Sequence, residues 1–507
     1  MKPIPHRHHA AGKRKIRRRL DRPVTAPSLD PVITASNIHY EVADKTRAIP
    51  CGGIGAIHLM VRKLGLVEAI DERLHLLKFH FPYHESDHVL NFAYNALCNG
   101  TCLDDIELRR NDVVFLDALG ADRIPDPTTA GDFCRRFAPD DVETLQDIFD
   151  QIRLKVWRAQ PADFLDEAII DVDGTLVATG ACCKQGIDIA YDGTWGYHPL
   201  IVSLANTGEV LSIVNRSGNR PSHEGAGEQL DLAIPLCRTA GFRKIYLRGD
   251  TDFTQTKRLD GWDADGVTFL FGIDAMPNLK AIAEDLPASA WSDLERPPQH
   301  TAPAKPRKRP ERIKDQIVRQ REFETLTRIR EDVAEVDYRP GACQRAYRLI
   351  LVRQTIATEK GQTRLFDEVR HLFYLTNDRT TAARALVFKA NGRCNQENLI
   401  AQLKGGVHAL RAGVDNLVSN WAYMVMTGLA WNLKAWFALS VPEHPRHQKA
   451  HREQKRTLLV MEFKRFVNTI IQMPCQIVRG GRRLVYRLLS WNEWQGVFLR
   501  TVFALRC

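Results

Sequence analysis

Between residues 54 and 158 the apolar positions recur at helical spacing. Val89, Leu90, Phe92, Ala93, Ala96 and Leu97, for instance, line one side of a helix that Gly100 can stop. The pattern predicts helices over 54–76, 86–99, about 102–110, 128–137 and 140–158. From residue 164 the texture changes to short β-branched and apolar runs. Strands are expected over 168–177, 197–205 and 209–215, with the turn signal Asn206-Thr-Gly208 between the last two. A helix over about 225–239 stops near Gly241 and leads to a fourth strand, 244–248, which ends in Gly249-Asp250. A fifth follows over 267–273. This order predicts an α/β ribonuclease-H-like core, a mixed five-stranded sheet with helices on its faces.

Residues 275–380 interrupt the pattern with a Pro/Lys/Arg-rich linker over 297–310, a charged helix expected over 313–333, and two strands expected over 346–355 and 368–375. They read as an inserted, β-containing subdomain. Helix is expected to resume near Ala382 and to dominate to the end of the chain. The implied organisation is a basic disordered arm and linker (1–50), a helical region (51–160) open equally to DNA binding or plain helical packing, the first part of the core (161–274), the insertion (275–380), the final helical part of the core (381–440) and a basic helical C-terminal region (441–507). The apolar stretch 421–441 contains Asn432 and Lys434, which suits a buried core helix better than a membrane span, so no membrane role is expected.

Charge sharpens this picture. The 71 Lys+Arg exceed the 61 Asp+Glu by ten, and the excess is local. Eight Lys/Arg and no acid fall in the first 19 residues, an arm expected to be mobile. Thirteen Lys/Arg against Glu453, Glu462 and Glu493 fall in 446–507, and Lys305-Pro-Arg-Lys-Arg-Pro lies between. Three basic blocks suit a polyanion, because each phosphate contact releases counterions. Arg135 and Arg136, at the end of the helix expected over 128–137, are candidates to touch DNA. The eleven cysteines lack a repeated C-x-x-C pair and no signal peptide is legible, so a reduced, cytoplasmic protein is expected.

Candidate chemistry lies in the carboxylates. Asp171 and Asp173 share one face of a strand otherwise made for burial, where charge is costly unless paired or metal-bound. Asp250 closes the fourth strand, which neighbours the first in such a sheet. A third acid, Glu397, shares a narrow helical face with Arg393 and Lys404, at 40°, 0° and 20° around the axis for 100° per residue. Hard oxygen ligands on adjacent elements suit Mg²⁺. Periodicity leaves Asp171 and Asp173 equivalent, and Asp252 stands close to Asp250.

Five motifs in order carry a resemblance: the Asp-Gly-Thr at Asp173, Gly-Tyr-His-Pro-Leu from Gly196, Arg-Ser-Gly-Asn from Arg216, Leu-Arg-Gly-Asp from Leu247, and Arg-x3-Glu-x6-Lys from Arg393 to Lys404. Together they resemble the DDE transposases of bacterial insertion sequences, with the nearest likeness to the insertion sequence 1380 family, from about residue 52 to 436. The resemblance implies a triad of Asp173, Asp250 and Glu397 holding Mg²⁺, with Mn²⁺ as a possible substitute. It further implies that Arg393 and Lys404 sit on transposon-end phosphates, that the partners are terminal inverted repeats and target DNA, and that the active complex is a homodimer. The tyrosine of the related signature is replaced by Ala390. Two competing readings are a nuclease that cuts without joining and a non-catalytic DNA-binding regulator derived from a transposase.

Overall fold

The computed structural model describes residues 6–22, 33, 35–42, 45–296, 324–360, 363–480 and 483–506. Its centre is a nine-stranded sheet. In chain order the strands are β1 (Glu167–Gly174), β2 (Leu200–Leu204), β3 (Glu209–Val214), β4 (Lys244–Gly249), β5 (Thr268–Ile273), β6 (Ser292–Asp293), β7 (Glu324–Tyr338), β8 (Tyr347–Lys360) and β9 (Thr363–Thr376). They lie in the order β6-β7-β8-β9-β5-β4-β1-β2-β3. β1 pairs parallel with β4, β4 parallel with β5, and β2 antiparallel with both β1 and β3. These five strands form the ribonuclease-H-like core expected from the sequence.

The insertion extends the core sheet through β9, which pairs antiparallel with β5 from Phe373↔Ile273 to Thr376↔Leu270. Here the charged helix expected over 313–333 is corrected: Glu324–Tyr338 is a strand, paired with β8 along its length. The 297–310 linker and residues 313–323 lie outside the described residues. Regularly spaced acids and bases suggest i,i+4 pairs, but here the charges meet across strands or between neighbours. Arg353 donates to Asp332 at 3.1 Å, Gln354 to Glu331 at 2.8 Å, and Arg296 reaches Glu331 from outside the ladder at 2.9 Å. Cross-strand pairs of this kind are the sheet counterpart of helical i,i+4 pairs.

Five helices frame the core: α1 (Pro139–Arg158), α2 (Ala226–Ala240), α3 (Ala383–Asn391), α4 (Cys394–Gly405) and α5 (Leu417–Leu439). α5 is buried on all sides from Ser419 to Leu439, as an apolar helix inside a large protein must be. It packs on β3 through Asn432, whose amide brackets the backbone of Val210 at 2.9 Å in both directions. Its Lys434 is buried, donates to the Leu459 carbonyl at 2.7 Å, and is pushed down to about 7 by desolvation. Among the described residues, no helix is long and apolar enough to cross a membrane.

The buried Glu209 at the start of β3 joins three elements. It accepts from Arg153 of α1 at 3.2 Å, from the indole of Trp157 at 2.8 Å, from Trp436 of α5 at 2.7 Å and from Thr207 at 2.7 Å.

Two further corrections concern the ends of the chain. Residues His6–Leu20 form a helix where a mobile arm is expected from the charge alone. Gly12 has no side chain where a Cβ would stand 3.1 Å from Trp491. The C-terminal region, expected to be dominated by helix, is interrupted by a hairpin, Cys475–Gly480 with Arg483–Leu488, which pairs with Ala48–Ile49. The last helix, Gln495–Arg506, packs on Ile54–Leu64, so both ends of the chain share one core. The single helix expected over 54–76 is broken at Gly65, whose φ of 74° ends one helix in the left-handed region and begins the next.

Candidate active site

The strand register brings the first two acids together. β1 and β4 are paired with Asp171 opposite Arg248, and two residues further along each chain stand Asp173 and Asp250. α4 supplies the third acid. Its buried Gln396 is anchored to β2, accepting from the Ser203 hydroxyl and donating to the Ile201 carbonyl at 3.2 Å. This leaves Glu397 on the neighbouring side, 59 % exposed.

Arg393 stands between the three acids. Its guanidinium lies 3.0 Å from Asp173, 3.5 Å from Asp250 and 3.4 Å from Glu397. Three carboxylates from segments far apart in sequence thus converge on one positive charge. Burial pushes the Asp173 carboxyl up to about 7, against the opposing pull of Arg393, and the Asp250 charge adds to the rise. Burial likewise raises Asp250. Lys404 is half-buried and donates to the Leu176 carbonyl at 2.7 Å, next to the strand end that carries Asp173. Its ammonium is shifted downward by desolvation.

The two near-duplicate acids part here. Asp171 is 1 % exposed and bound by both Arg248 Nε and Nη2 at 2.7 Å, so both its oxygens are already engaged. Asp252 is exposed, and its backbone N–H donates to Asp250 at 3.1 Å.

Arg135 and Arg136 stand outside the contacts of this cluster, after the helix Pro127–Cys134, whose first turn Asp126 caps by accepting from the Thr129 N–H. Arg135 is held by Asp132 at 2.6 Å and Asp415 at 3.0 Å, whereas Arg136 is exposed.

Among the described residues no group of three or more His, Cys, Asp or Glu is set to hold a metal ion. The acids close on the guanidinium and not on one another. Their chemistry nevertheless fits a hard divalent cation: three carboxylates already surround a single cationic centre, and Asp173 is held in surroundings that resist leaving it charged alone.

Residues outside the acid triad also shape the site. Arg216 is buried, donates from Nε to the His198 carbonyl at 2.9 Å, and from Nη1 to the carbonyls of Pro221 at 3.1 Å and Ser222 at 3.0 Å. A Cβ on Gly174 would stand 2.9 Å from His198 Nε2 and 3.4 Å from Arg216 Nη2, so the glycine after Asp173 allows this close approach. His198 and Arg216 belong to sequence motifs that spacing alone left without a role.

A family model described as transposase DDE domain, group 1, matches residues 47–504. The chain belongs to this family. Among solved structures, this DDE-domain chain is similar to a piggyBac transposase synaptic complex with hairpin DNA, at 12% identity over 83% of this chain and 82% of that one, with a TM-score of 0.37. At that distance neither contacts nor roles transfer. No curated protein matches the chain.

In the metal-free DDE domain, a pH-dependent loss of stability is expected. The Asp173 carboxyl holds its proton up to about 7 in the fold but only to 3.8 in the unfolded chain. Its contribution is fully present below 3.8. As pH rises toward 7 the unfolded state sheds the proton first, so stability falls and then levels off. Urea midpoints measured across this range in chelator should show the fall in wild type and lose that component in Asp173→Asn. An unchanged slope in the variant would show that Asp173 does not titrate there.

Proposed function

We propose that the protein is the DNA transposase of an insertion sequence resembling the insertion sequence 1380 family, binding terminal inverted repeats and carrying out metal-dependent strand cleavage and strand transfer. The observation that carries this reading is the convergence of Asp173, Asp250 and Glu397 on Arg393. Asp173, Asp250 and Glu397 would hold Mg²⁺, or Mn²⁺ in its place. When bound, such an ion lowers the pKa of water and offsets charge on a reacting phosphate. Arg393, once freed from the acids, would meet a phosphate oxygen with its planar fork of donors, and Lys404, near the far end of α4, would add a point charge. Attack of water on the phosphodiester at the element end would leave a 3′-hydroxyl and a 5′-phosphate, and that 3′-hydroxyl would then attack a target phosphodiester, forming the new linkage as the target's own 3′-oxygen leaves. Two element ends must be held at once, so a homodimer is the expected active form.

The test is a strand-transfer reaction with labelled element ends, target DNA and Mg²⁺. Joined product is expected. Cleaved but unjoined ends would favour a nuclease, and end binding with neither product would favour a regulator.

End affinity should also fall steeply with salt. Arg136→Ala is expected to lower the slope of log K against log salt by about one, the signature of one lost phosphate contact. An unchanged slope would remove Arg136 from the DNA interface.

A further inference from the structure

β1 carries three acids on one face, Glu167, Asp171 and Asp173, and each meets a cation at or against the α3–α4 pair. Lys389 of α3 lies 3.0 Å from Glu167, with its ammonium 3.3 Å from the centroid of the Tyr246 ring. Arg248 grips both oxygens of Asp171, and its remaining nitrogen, Nη1, donates to the Lys389 carbonyl at 2.7 Å. Arg393, just beyond Gly392, meets Asp173. The middle rung therefore ties the sheet to the backbone of the last turn of α3, three residues before the junction that aims α4.

Gly392 is where this tie is tightest. Its backbone is helical, at φ −59°, a conformation any residue adopts, yet a Cβ there would stand 2.7 Å from Arg248 Nη1. An arginine tip can usually move aside. This one is fixed by two bonds to Asp171, so it can yield only by loosening the pair. Beside this tie and the Lys389–Glu167 pair, α3 meets the sheet through Leu386 and Val387 against Tyr246, Leu270, Ile350 and Val352. Apolar contact is non-directional and does not by itself set the helix's height along the strands.

We propose that the Asp171–Arg248 pair is a positioning device that sets α3 and α4 against the sheet edge, and through them the reach of Glu397 toward Asp173 and Asp250. Asp171 and Arg248 are positioning residues, acting through the Lys389 carbonyl and Gly392. The inference rests on the proposed triad only for its consequence. The coupling of the pair to α4 stands on its own contacts.

The experiment uses the full chain and two readouts: amide hydrogen exchange by segment, and binding of Mn²⁺ alone followed by electron paramagnetic resonance. Arg248→Lys keeps the charge but cannot donate to Asp171 and the Lys389 carbonyl through a planar fork. Gly392→Ala keeps every charge and adds one methyl group. Both variants are expected to speed exchange over 390–405 by about tenfold or more while leaving 226–240 at the wild-type rate. Both should weaken Mn²⁺ binding by about tenfold, within the range known for residues that orient metal ligands.

Wild-type exchange over 390–405 in both variants would overturn the proposal, as would faster exchange shared equally by 226–240. Faster local exchange with unchanged Mn²⁺ affinity would also overturn it, leaving a merely structural pair. Glu397→Gln serves as the control. If it binds Mn²⁺ as well as wild type does, the proposed triad fails, and the exchange comparison alone decides whether the pair sets α4.

Discussion

Asp173→Asn, Asp250→Asn and Glu397→Gln are each expected to abolish excision of a reporter flanked by the element's own ends, while binding to those ends persists. Each change preserves shape and removes one anionic oxygen ligand from the group now gathered on Arg393. Metal-assisted charge stabilisation is worth several kcal/mol, and each 1.36 kcal/mol is tenfold in rate, so a loss of about a thousandfold or more is anticipated for each. The variants should fold, because removing one of three acids around a single guanidinium also relieves their mutual repulsion. Burial of Asp173 already favours its uncharged form. Excision assayed beside gel shifts checks both halves of the statement. Retained activity in one variant would displace that position from the triad; for Asp250 the next residue to test is the exposed Asp252. Asp171 is a different case, because both its oxygens are bound by Arg248.

Glu209→Ala is expected to destabilise the fold by about 3 kcal/mol, the lower end for removing one partner of a buried ion pair, because Arg153 keeps Asp150. The Arg153 side chain is 1 % exposed and Glu209 is 0 % exposed. Removing the carboxylate leaves that guanidinium with Asp150 and the Val210 carbonyl, and deprives the indoles of Trp157 and Trp436 of their acceptor. Glu209→Gln should lose less, since an amide oxygen still accepts from one indole. The shift of the denaturant midpoint at a fixed pH measures both. A loss below about 1 kcal/mol for the alanine variant, the range of an exposed ion pair, would show that Glu209 does not hold α1, β3 and α5 together.

The core strands were legible because burial on one or both faces writes a local pattern. The runs at 168–177, 197–205, 209–215, 244–248 and 267–273 all correspond to strands of the ribonuclease-H-like sheet. The first runs past Gly174, where the chain leaves the sheet, because Thr175 donates its N–H to the Pro199 carbonyl and not to a neighbouring strand. Over 324–333, part of the helix expected at 313–333, the charges are spaced as a helix would space them although the segment is a strand. Arg328 and Arg330 still meet near neighbours, Glu331 and Asp332, but the partners that fix the segment as a strand lie on β8 and at Arg296, which a local window does not contain. The C-terminal hairpin escaped for a similar reason. Its alternation, buried only at Cys475 and Ile477 on the first strand, takes its meaning from pairing with Ala48–Ile49 at the other end of the chain.

The candidate site divides along the same line. By itself the sequence determined which acids stand at strand ends and on one helical face, because strand and helix periods are local: Asp173 beside Asp171, Asp250 after Gly249, and Glu397 in line with Arg393. Between Asp171 and Asp173 the period is silent and the resemblance names Asp173; the tertiary structure adds which cation each one meets, Arg248 for Asp171 and Arg393 for Asp173. The roles of Arg248, Gly392 and Glu209 are likewise out of reach of a local pattern, because each depends on partners between 52 and 227 residues away or on the space around a single Cα. Periodicity reports which way a side chain points, and only the packed chain places another charge there to meet it.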